Sequence, residues 1–451
     1  MKIPRLLLAG TNSGVGKTSI TCSIIYGLKK MGYSVQPFKV GPDYIDPIYL
    51  STISEKKTHN LDSWLMGKTQ ILNTFISNSI SDISIIEGVM GFYDGFDGNS
   101  NLASSHEIAS ITKTPVILVL DASKSARSIA ATALGFQKFE KNSFIAGIIL
   151  NKIGSKKHEI LCRQALKKIL IPIVGVIPRN NDLSLASRHL GLISTKEQKF
   201  LKKQIIELSK TISQNLDFQQ IKKIIFKTNS INQFTHRVKR KSNATIAVAL
   251  DSSFNFYYED NFKALIREGA KLKFFSPIRD RKIPKCDGIY IGGGFPEILA
   301  SSLSKNNYIK TQIKKFSEDE MPIYAECGGL MYLTKSISSG NSKNKMVSIF
   351  DAETIMTKKM KLNYTKGKIS NSNIISKITQ NFRGHEFHYS ELTNISRDSQ
   401  FAYSLEIGDG IKNHKDGMMV YNTLASYGHL YFDSSNFARN FVNSCIKNSR
   451  T

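Results

Sequence analysis

Cysteine is scarce in this 451-residue sequence and never paired: Cys22, Cys162, Cys286, Cys327 and Cys445 form no C-x-x-C. That spacing argues against a disulfide framework and a zinc site, so each thiol has to be judged by its own surroundings. Long apolar runs are missing too. The apolar start, residues 6–9, is too short for a signal-peptide core, and no run approaches the roughly 18 residues of a membrane span. A cytoplasmic protein with no membrane partner is expected. Acidic side chains fall short as well: 36 Asp and Glu face 62 Lys and Arg, a formal charge of +26. Such a field attracts polyanions. The lysines, however, are spread over the whole length without the aromatic interleaving or helical stripe of a nucleic-acid-reading surface. No nucleic-acid partner is expected, and the excess is compatible with a Lys-rich compositional habit or with a strongly anionic small substrate. No internal repeat is found, and nothing fixes an oligomeric state.

At this length two domains of roughly 200 residues each are expected. Residues 1–227 alternate short apolar runs, at 6–9, 34–39, 83–86, 116–120, 145–150 and 173–177, with amphipathic segments such as 19–31 and 125–139. Repeated βαβ units with buried strands predict an α/β fold, a doubly wound parallel sheet with ligands beyond the C-terminal strand ends. A polar helical stretch, 196–227, leads into 228–243, which lacks apolar periodicity and carries a basic run at 236–241; this is the expected linker. Residues 244–451 return to α/β patterning, with strands at 245–250, 271–275, 288–291 and 322–325 and a helix at 258–268 stopped by Gly269. The Lys/Ser/Asn-rich stretch 336–345 is expected as a surface loop.

The first chemical signal follows the first strand. Gly10-Thr11-Asn12-Ser13-Gly14-Val15-Gly16-Lys17-Thr18 is a glycine-rich turn running into a helix start, the context of a P-loop, although the strict motif has Gly where Thr11 stands. Backbone N–H groups from Thr11 through Gly14, Val15 and Gly16 would cradle ATP phosphates, Lys17 would neutralise the β/γ oxygens, and the Thr18 hydroxyl would hold Mg²⁺. Glu87, just past the strand at 83–86, occupies a Walker-B-like position for a second metal contact. Phe38-Lys39-Val40-Gly41-Pro42-Asp43-Tyr44-Ile45-Asp46-Pro47 puts one lysine and two carboxylates in a Pro-bracketed loop. Those carboxylates would ligate Mg²⁺ or position a substrate on one reading, and make Asx turns beside the prolines on the other. Asn151, ending the strand at 145–150, is a candidate purine-edge contact.

The second signal is Pro322-Ile323-Tyr324-Ala325-Glu326-Cys327-Gly328-Gly329-Leu330-Met331, a buried strand, a cysteine among small residues and an apolar helix: a nucleophile elbow. The helix N-terminus would favour the thiolate. Cys327 could then attack an amide carbonyl, with N–H groups of Gly328 and of the Gly292-Gly293-Gly294 loop on the oxyanion. His429 is a candidate base, and His385 and His388 are its rivals; spacing alone does not choose.

In this order, Gly-Thr-x4-Gly-Lys-Thr, Gly-Pro-Asp-Tyr-Ile-Asp-Pro, Gly-Gly-Gly-Phe-Pro-Glu, Ala-Glu-Cys-Gly-Gly-Leu-Met-Tyr-Leu and Arg-Gly-His-Glu-Phe-His-Tyr-Ser make residues 6–432 resemble the cobyrinate a,c-diamide synthase family. The resemblance implies a dethiobiotin-synthetase-like first domain and a class I, flavodoxin-like glutamine amidotransferase as the second. It implies ATP-dependent amidation of the a and c acetates of cobyrinate through a phosphorylated carboxylate, with L-glutamine as nitrogen donor and Mg²⁺ on the ATP. It also implies roles: Cys327 as nucleophile, His429 as its base, Gly293, Gly294 and Gly328 at the oxyanion, Lys17 and Thr18 on ATP and Mg²⁺, Glu87 and Asp43 in the metal shell, and Lys39, Tyr44, Asp46 and Asp94 toward phosphate or substrate. Tyr431 stands two places after His429, where many class I amidotransferases carry Glu, so the resemblance supplies no third triad member. Neighbouring chemistries are cobyric acid synthase and diamide synthases acting on hydrogenobyrinate or nickel sirohydrochlorin. A different class, a DNA-associated P-loop ATPase, would suit the charge, but intact Cys327 and His429 speak against it.

Overall fold

The computed structural model describes residues 1–179, 195–231, 240–241 and 243–449, with residues 195–199 described by backbone only. The chain divides into two compact units, containing among the described residues 1–231 and 240–449 respectively. The expected linker, 228–243, falls largely outside the described residues. Among those described, no helix is long and apolar enough to cross a membrane.

In the first unit, runs of Leu, Ile and Val form strands buried on both faces, as parallel strands covered by helices must be. The order is β1 (Arg5–Gly10), α1 (Lys17–Lys30), β2 (Val35–Val40), α2 (Asp46–Ser54), β3 (His59–Leu61), α3 (Ser63–Asn78), β4 (Ile83–Glu87) and α4 (Ser105–Ile111). There follow β5 (Val116–Asp121), α5 (Ser128–Lys138), β6 (Ile145–Ile153), α6 (Lys156–Leu166), β7 (Ile173–Pro178), α7 (Thr195–Ser213) and α8 (Phe218–Phe226). The strands lie in the order β3-β2-β4-β1-β5-β6-β7, and each pairing is parallel. β1 sits between β4 and β5, so the chain leaves it in opposite directions, and a crevice opens at the strand ends. The register places Lys39 beside Glu87, and Leu8 beside Glu87 on its other side. The predicted sheet is found, with one added edge strand, β3, too short to show periodicity. The single helical stretch read at 196–227 is instead two helices, α7 and α8, parted at Asp217, whose carboxylate accepts Gln220 N–H as the cap of α8.

The second unit is built on β8 (Ala244–Ala249), α9 (Glu259–Arg267), β9 (Ala270–Phe275), β10 (Gly288–Ile291), α10 (Ala300–Lys305), α11 (Asn307–Glu318), β11 (Ile323–Glu326) and α12 (Gly328–Leu333). It continues through β12 (Ser336–Ser339), β13 (Ser342–Lys345), β14 (Glu353–Ile369), β15 (Asn381–Thr393), β16 (Gln400–Ile407), β17 (Lys415–Val420), β18 (Thr423–Ser426), β19 (His429–Leu430) and α13 (Phe437–Asn448). Strands β9-β8-β10-β11-β18 form a parallel core. Alternation sends Ala247 and Ala249 to one face, packed with Leu303 of α10 and Ile313 of α11, and Ile246 and Val248 to the other, packed with Leu265 of α9 and Phe441 of α13. An antiparallel extension through β17, β16 and β14 continues the sheet. The stretch 336–345, expected as a surface loop, is a hairpin: β12 and β13 pair Ser336 with Lys345 and Ser339 with Ser342. Its polar residues hid the alternation, and Ile337 is its buried anchor.

Candidate phosphate and thiol sites

The P-loop is shaped by where side chains cannot go. A Cβ on Gly10 would lie 2.4 Å from Val15 Cγ2, and Val15 itself is fully buried, so the loop folds back over the end of β1. Gly14 and Gly16 hold φ of 77° and 93°, left-handed values that favour glycine. Lys17 opens α1 and its ammonium donates to the carbonyls of Asn12, at 3.1 Å, and Met90. Burial, then the positive charge of Lys39, lowers the Lys17 pKa to about 8. From the end of β6, Asn151 donates its Nδ2 to the Val15 carbonyl at 2.8 Å.

Beside this loop is a charge cluster in which Lys39 and Glu87 are buried and Asp43 and Asp46 half-buried. Lys39 Nζ lies 2.6 Å from Asp46 Oδ2, 2.9 Å from Glu87 Oε1 and 3.7 Å from Asp43 Oδ2. The Thr18 hydroxyl donates to Glu87 Oε1 at 2.7 Å. Burial works to neutralise Lys39, but the three carboxylates outweigh it and keep the ammonium charged. Burial lifts Glu87 to about 7 and Asp43 to about 6. On Asp46 the upward push of burial is overcome by Lys39 and by hydrogen bonds, which hold it at about 2. The Asx-turn reading of the Pro-bracketed loop is seen in Asp43 Oδ1, which accepts Ile45 N–H at 2.8 Å, while its Oδ2 faces Lys39. A cavity of about 810 Å³ is lined by Lys17 and Thr18 together with Lys39, Asp43, Asp46 and Asn151. Arg179 also lines it, a cation that no motif flagged. Five expected contacts sit apart from this lining: Val15 and Glu87 are fully buried, the Thr11 hydroxyl bonds to Asn12 Oδ1 at 2.9 Å, Tyr44 is buried, and Asp94 Oδ2 accepts Gly91 N–H at 2.8 Å.

This donor set fits a hard divalent ion. Thr18, Glu87 and Asp43 offer oxygen only, and Glu87 Oε2 is buried with no hydrogen-bond partner among the described residues. Among those residues no group of three or more His, Cys, Asp or Glu could hold a metal ion by itself.

In the second unit, β11 delivers Cys327 to a strained turn. Its φ and ψ are 48° and −101°, a conformation non-glycine residues avoid and nucleophile elbows use. Cys327 N–H donates to Ser426 O of β18 at 2.7 Å, and Sγ lies 3.4 Å from Phe387 O of β15. Small residues are required around it: a Cβ on Gly329 would lie 2.5 Å from Ile291 O, and one on Gly294 would lie 2.1 Å from Ser253 O. A Cβ on Gly328 would lie 3.1 Å from Gly294 N, so the two proposed oxyanion segments are neighbours. Burial, then the nearby Glu297 carboxylate, pushes the thiol pKa well up. The Gly328 N–H at the start of α12 pulls the other way, as expected of a helix end, but burial outweighs it, so a base is needed.

The three histidines have different surroundings. His429 Nδ1 lies 3.7 Å from Glu326 Oε2, and its ring packs on Gly293, where a Cβ would lie 2.5 Å from Cε1. The imidazole is thus flanked by the residue before the thiol and by the loop that meets Gly328, the residue after it. His385 stacks on His429 at 4.9 Å between ring centroids, and burial keeps it neutral. His388 stacks on Tyr427 at 3.7 Å, and its Nδ1 is 2.8 Å from Ser390 O. Because any side chain at position 293 must displace the imidazole or the loop, Gly293→Ala is expected to lower glutamine hydrolysis roughly 10²-fold, the usual cost of a misplacement near 1 Å. Glutamate release measures it.

Two family profiles match the chain. One, described as the CobQ/CobB/MinD/ParA nucleotide binding domain, covers residues 6–193, and the other, the CobB/CobQ-like glutamine amidotransferase domain, covers 245–437. Curated relatives match nearly end to end. Cobyrinate a,c-diamide synthase of Methanosphaera stadtmanae is 40% identical over 98% of this chain and 99% of its own. That of Methanococcus maripaludis strain C7 is 43% identical over 92% and 93%, and that of Dehalococcoides mccartyi 40% over 98% and 98%. With relatives of about 40% identity matched over nearly the whole length of both chains, the chain belongs to the cobyrinate a,c-diamide synthase family.

Proposed function

We propose that this protein amidates the a and c acetate carboxylates of cobyrinate, in cobalamin biosynthesis, using ATP and glutamine. What carries the reading is the presence in one chain of a P-loop whose Thr18 meets Glu87 and of an elbow cysteine whose preceding residue, Glu326, lies 3.7 Å from the His429 imidazole. A carboxylate is a poor acyl donor. Its oxygen attacks the γ-phosphorus of ATP, ADP leaves, and ammonia then attacks the acyl carbon while phosphate departs with the C–O bond electrons and a proton is lost. Lys17 holds the phosphoryl oxygens, and Lys39 with Asp46 orients the acceptor. Mg²⁺, held by Thr18, Glu87 and Asp43, would supply charge neutralisation to the phosphates. Asn151 bounds the nucleotide side, and Asp94 and Tyr44 support the loops beneath it.

The ammonia comes from the thiol site. Cys327 gives its proton to His429, sulfur bonds to the glutamine amide carbon, and N–H groups of Gly328, Gly294 and Gly293 hold the oxyanion. The imidazolium returns the proton to the leaving nitrogen, and water then splits the thioester to glutamate. A cytoplasmic location, where ATP and glutamine are supplied, goes with this reading. The test is mass spectrometry of the product from cobyrinate, ATP, Mg²⁺ and glutamine. Two carboxylates replaced by amides support the reading; none, or four as for a cobyric acid synthase, rejects it.

A further inference from the structure

We propose that Glu326 is the carboxylate that orients His429, giving a triad whose acid immediately precedes the nucleophile on its own strand instead of following the histidine. The inference rests on the reading of Cys327 and His429 as a glutamine-hydrolysing pair. It starts from an awkward fact: Glu326 is a carboxylate 1% exposed at the end of β11, and burying a charge is costly unless something offsets it. Alternation along the strand turns Tyr324 and Glu326 to one face and Ala325 to the other. There Oε1 accepts the Tyr324 hydroxyl at 2.7 Å and Leu430 N–H at 3.0 Å, while Oε2 accepts the Tyr290 hydroxyl at 2.9 Å. A carboxylate has about four acceptor sites, and the one left open on Oε2 has His429 Nδ1 at 3.7 Å. That separation is longer than a hydrogen bond, as catalytic contacts often are before the substrate tightens them.

Three other carboxylates near these strands are engaged elsewhere. Glu386 accepts Asp409 N–H and Gly410 N–H and lies 3.9 Å from His388, not His429. Asp416 accepts the N–H groups of Gly417, Tyr427 and Gly428. Asp433 pairs with Arg267. Tyr431, at the place of the usual acid, packs on Tyr258 with ring centroids 5.9 Å apart. Titratable groups near the imidazole include Glu326 from β11 and His385 stacked from β15, with Tyr258 3.1 Å beyond it; on the Cys327 thiol next in the chain, Glu297, Glu326 and Asp416 act together. With Nδ1 turned to Glu326, the Nε2 edge faces Gly293, where a Cβ would lie 3.3 Å from it. This orientation leaves Nε2 to exchange the proton.

The experiment is glutamate release by the full chain as a function of pH, with Glu326→Gln and Tyr290→Phe. Glu326→Gln keeps the shape and removes the charge, so the rate is expected to fall roughly 10- to 100-fold and the acid limb of the profile to move down by about one pH unit. Tyr290→Phe removes a competing donor from Oε2 and strengthens its pull on the imidazole, so the acid limb is expected to move up. A merely structural residue would lower the rate without moving the limb. An unmoved limb in folded Glu326→Gln, or an unmoved or lowered limb in Tyr290→Phe, overturns the proposal. Should Glu326→Gln lose its thermal unfolding transition, Tyr290→Phe decides alone. Undiminished glutamate release by Cys327→Ala would instead reject the thiol reading on which the inference stands.

Discussion

Cys327→Ala is expected to lower glutamine-driven amidation on the order of 10⁴-fold or more, the scale of removing a covalent nucleophile, while amidation from free ammonia continues. The reason is that the thiol acts before nitrogen is free, and ammonium salts bypass that step. No other thiol can substitute: Cys22, Cys162 and Cys445 are buried, Cys22 and Cys162 lie in the first unit, and Cys286 has no elbow. The fold should persist, because alanine at a φ of 48° is no more strained than cysteine. Amide product is measured by mass spectrometry with glutamine and, separately, with an ammonium salt as donor. Equal persistence of both rates would mean that sulfur is not the nucleophile.

How much of this was legible follows from how far apart the partners lie in the chain. The P-loop and the elbow are contiguous strand–turn–helix units, so their glycines announce the local backbone before any tertiary contact is known. Most parallel strands of both units were legible for a similar reason, being short apolar runs; β3 and β18, of three and four residues, were not. β14 was not: its burial pattern is mostly exposed or half-exposed over 17 residues rich in lysine, and a strand pinned by pairing with β15 and β16 needs no apolar period of its own. The Glu326–His429 contact was equally hidden, since it joins residues on β11 and β19 whose proximity depends on the register of β11, β18 and β15. The protonation of Cys327 went the other way. The sequence displays the helix end that favours a thiolate, whereas the burial that opposes it is a property of packing.

Lys17→Met is expected to lower amidation roughly 10³-fold with either nitrogen donor, the upper range for removing one preorganised contact to a developing charge. The contrast with Cys327→Ala locates the step: losing the sulfur removes one nitrogen source, whereas losing the ammonium removes the activated acid that every nitrogen source requires. The substitution suits the site. Lys17 is buried and its charge is already disfavoured by burial and by Lys39, so an apolar side chain of similar length should leave the melting temperature near that of the parent. What disappears is the cation that the phosphoryl oxygens would draw away from the carbonyls of Asn12 and Met90. ADP formation and amide product, measured with ammonia as donor, should fall together. Ammonia-driven amidation within tenfold of the parent would show that the neighbouring cations Lys39 and Arg179 suffice to hold the phosphates, and Lys17 would then be a structural strut of the loop.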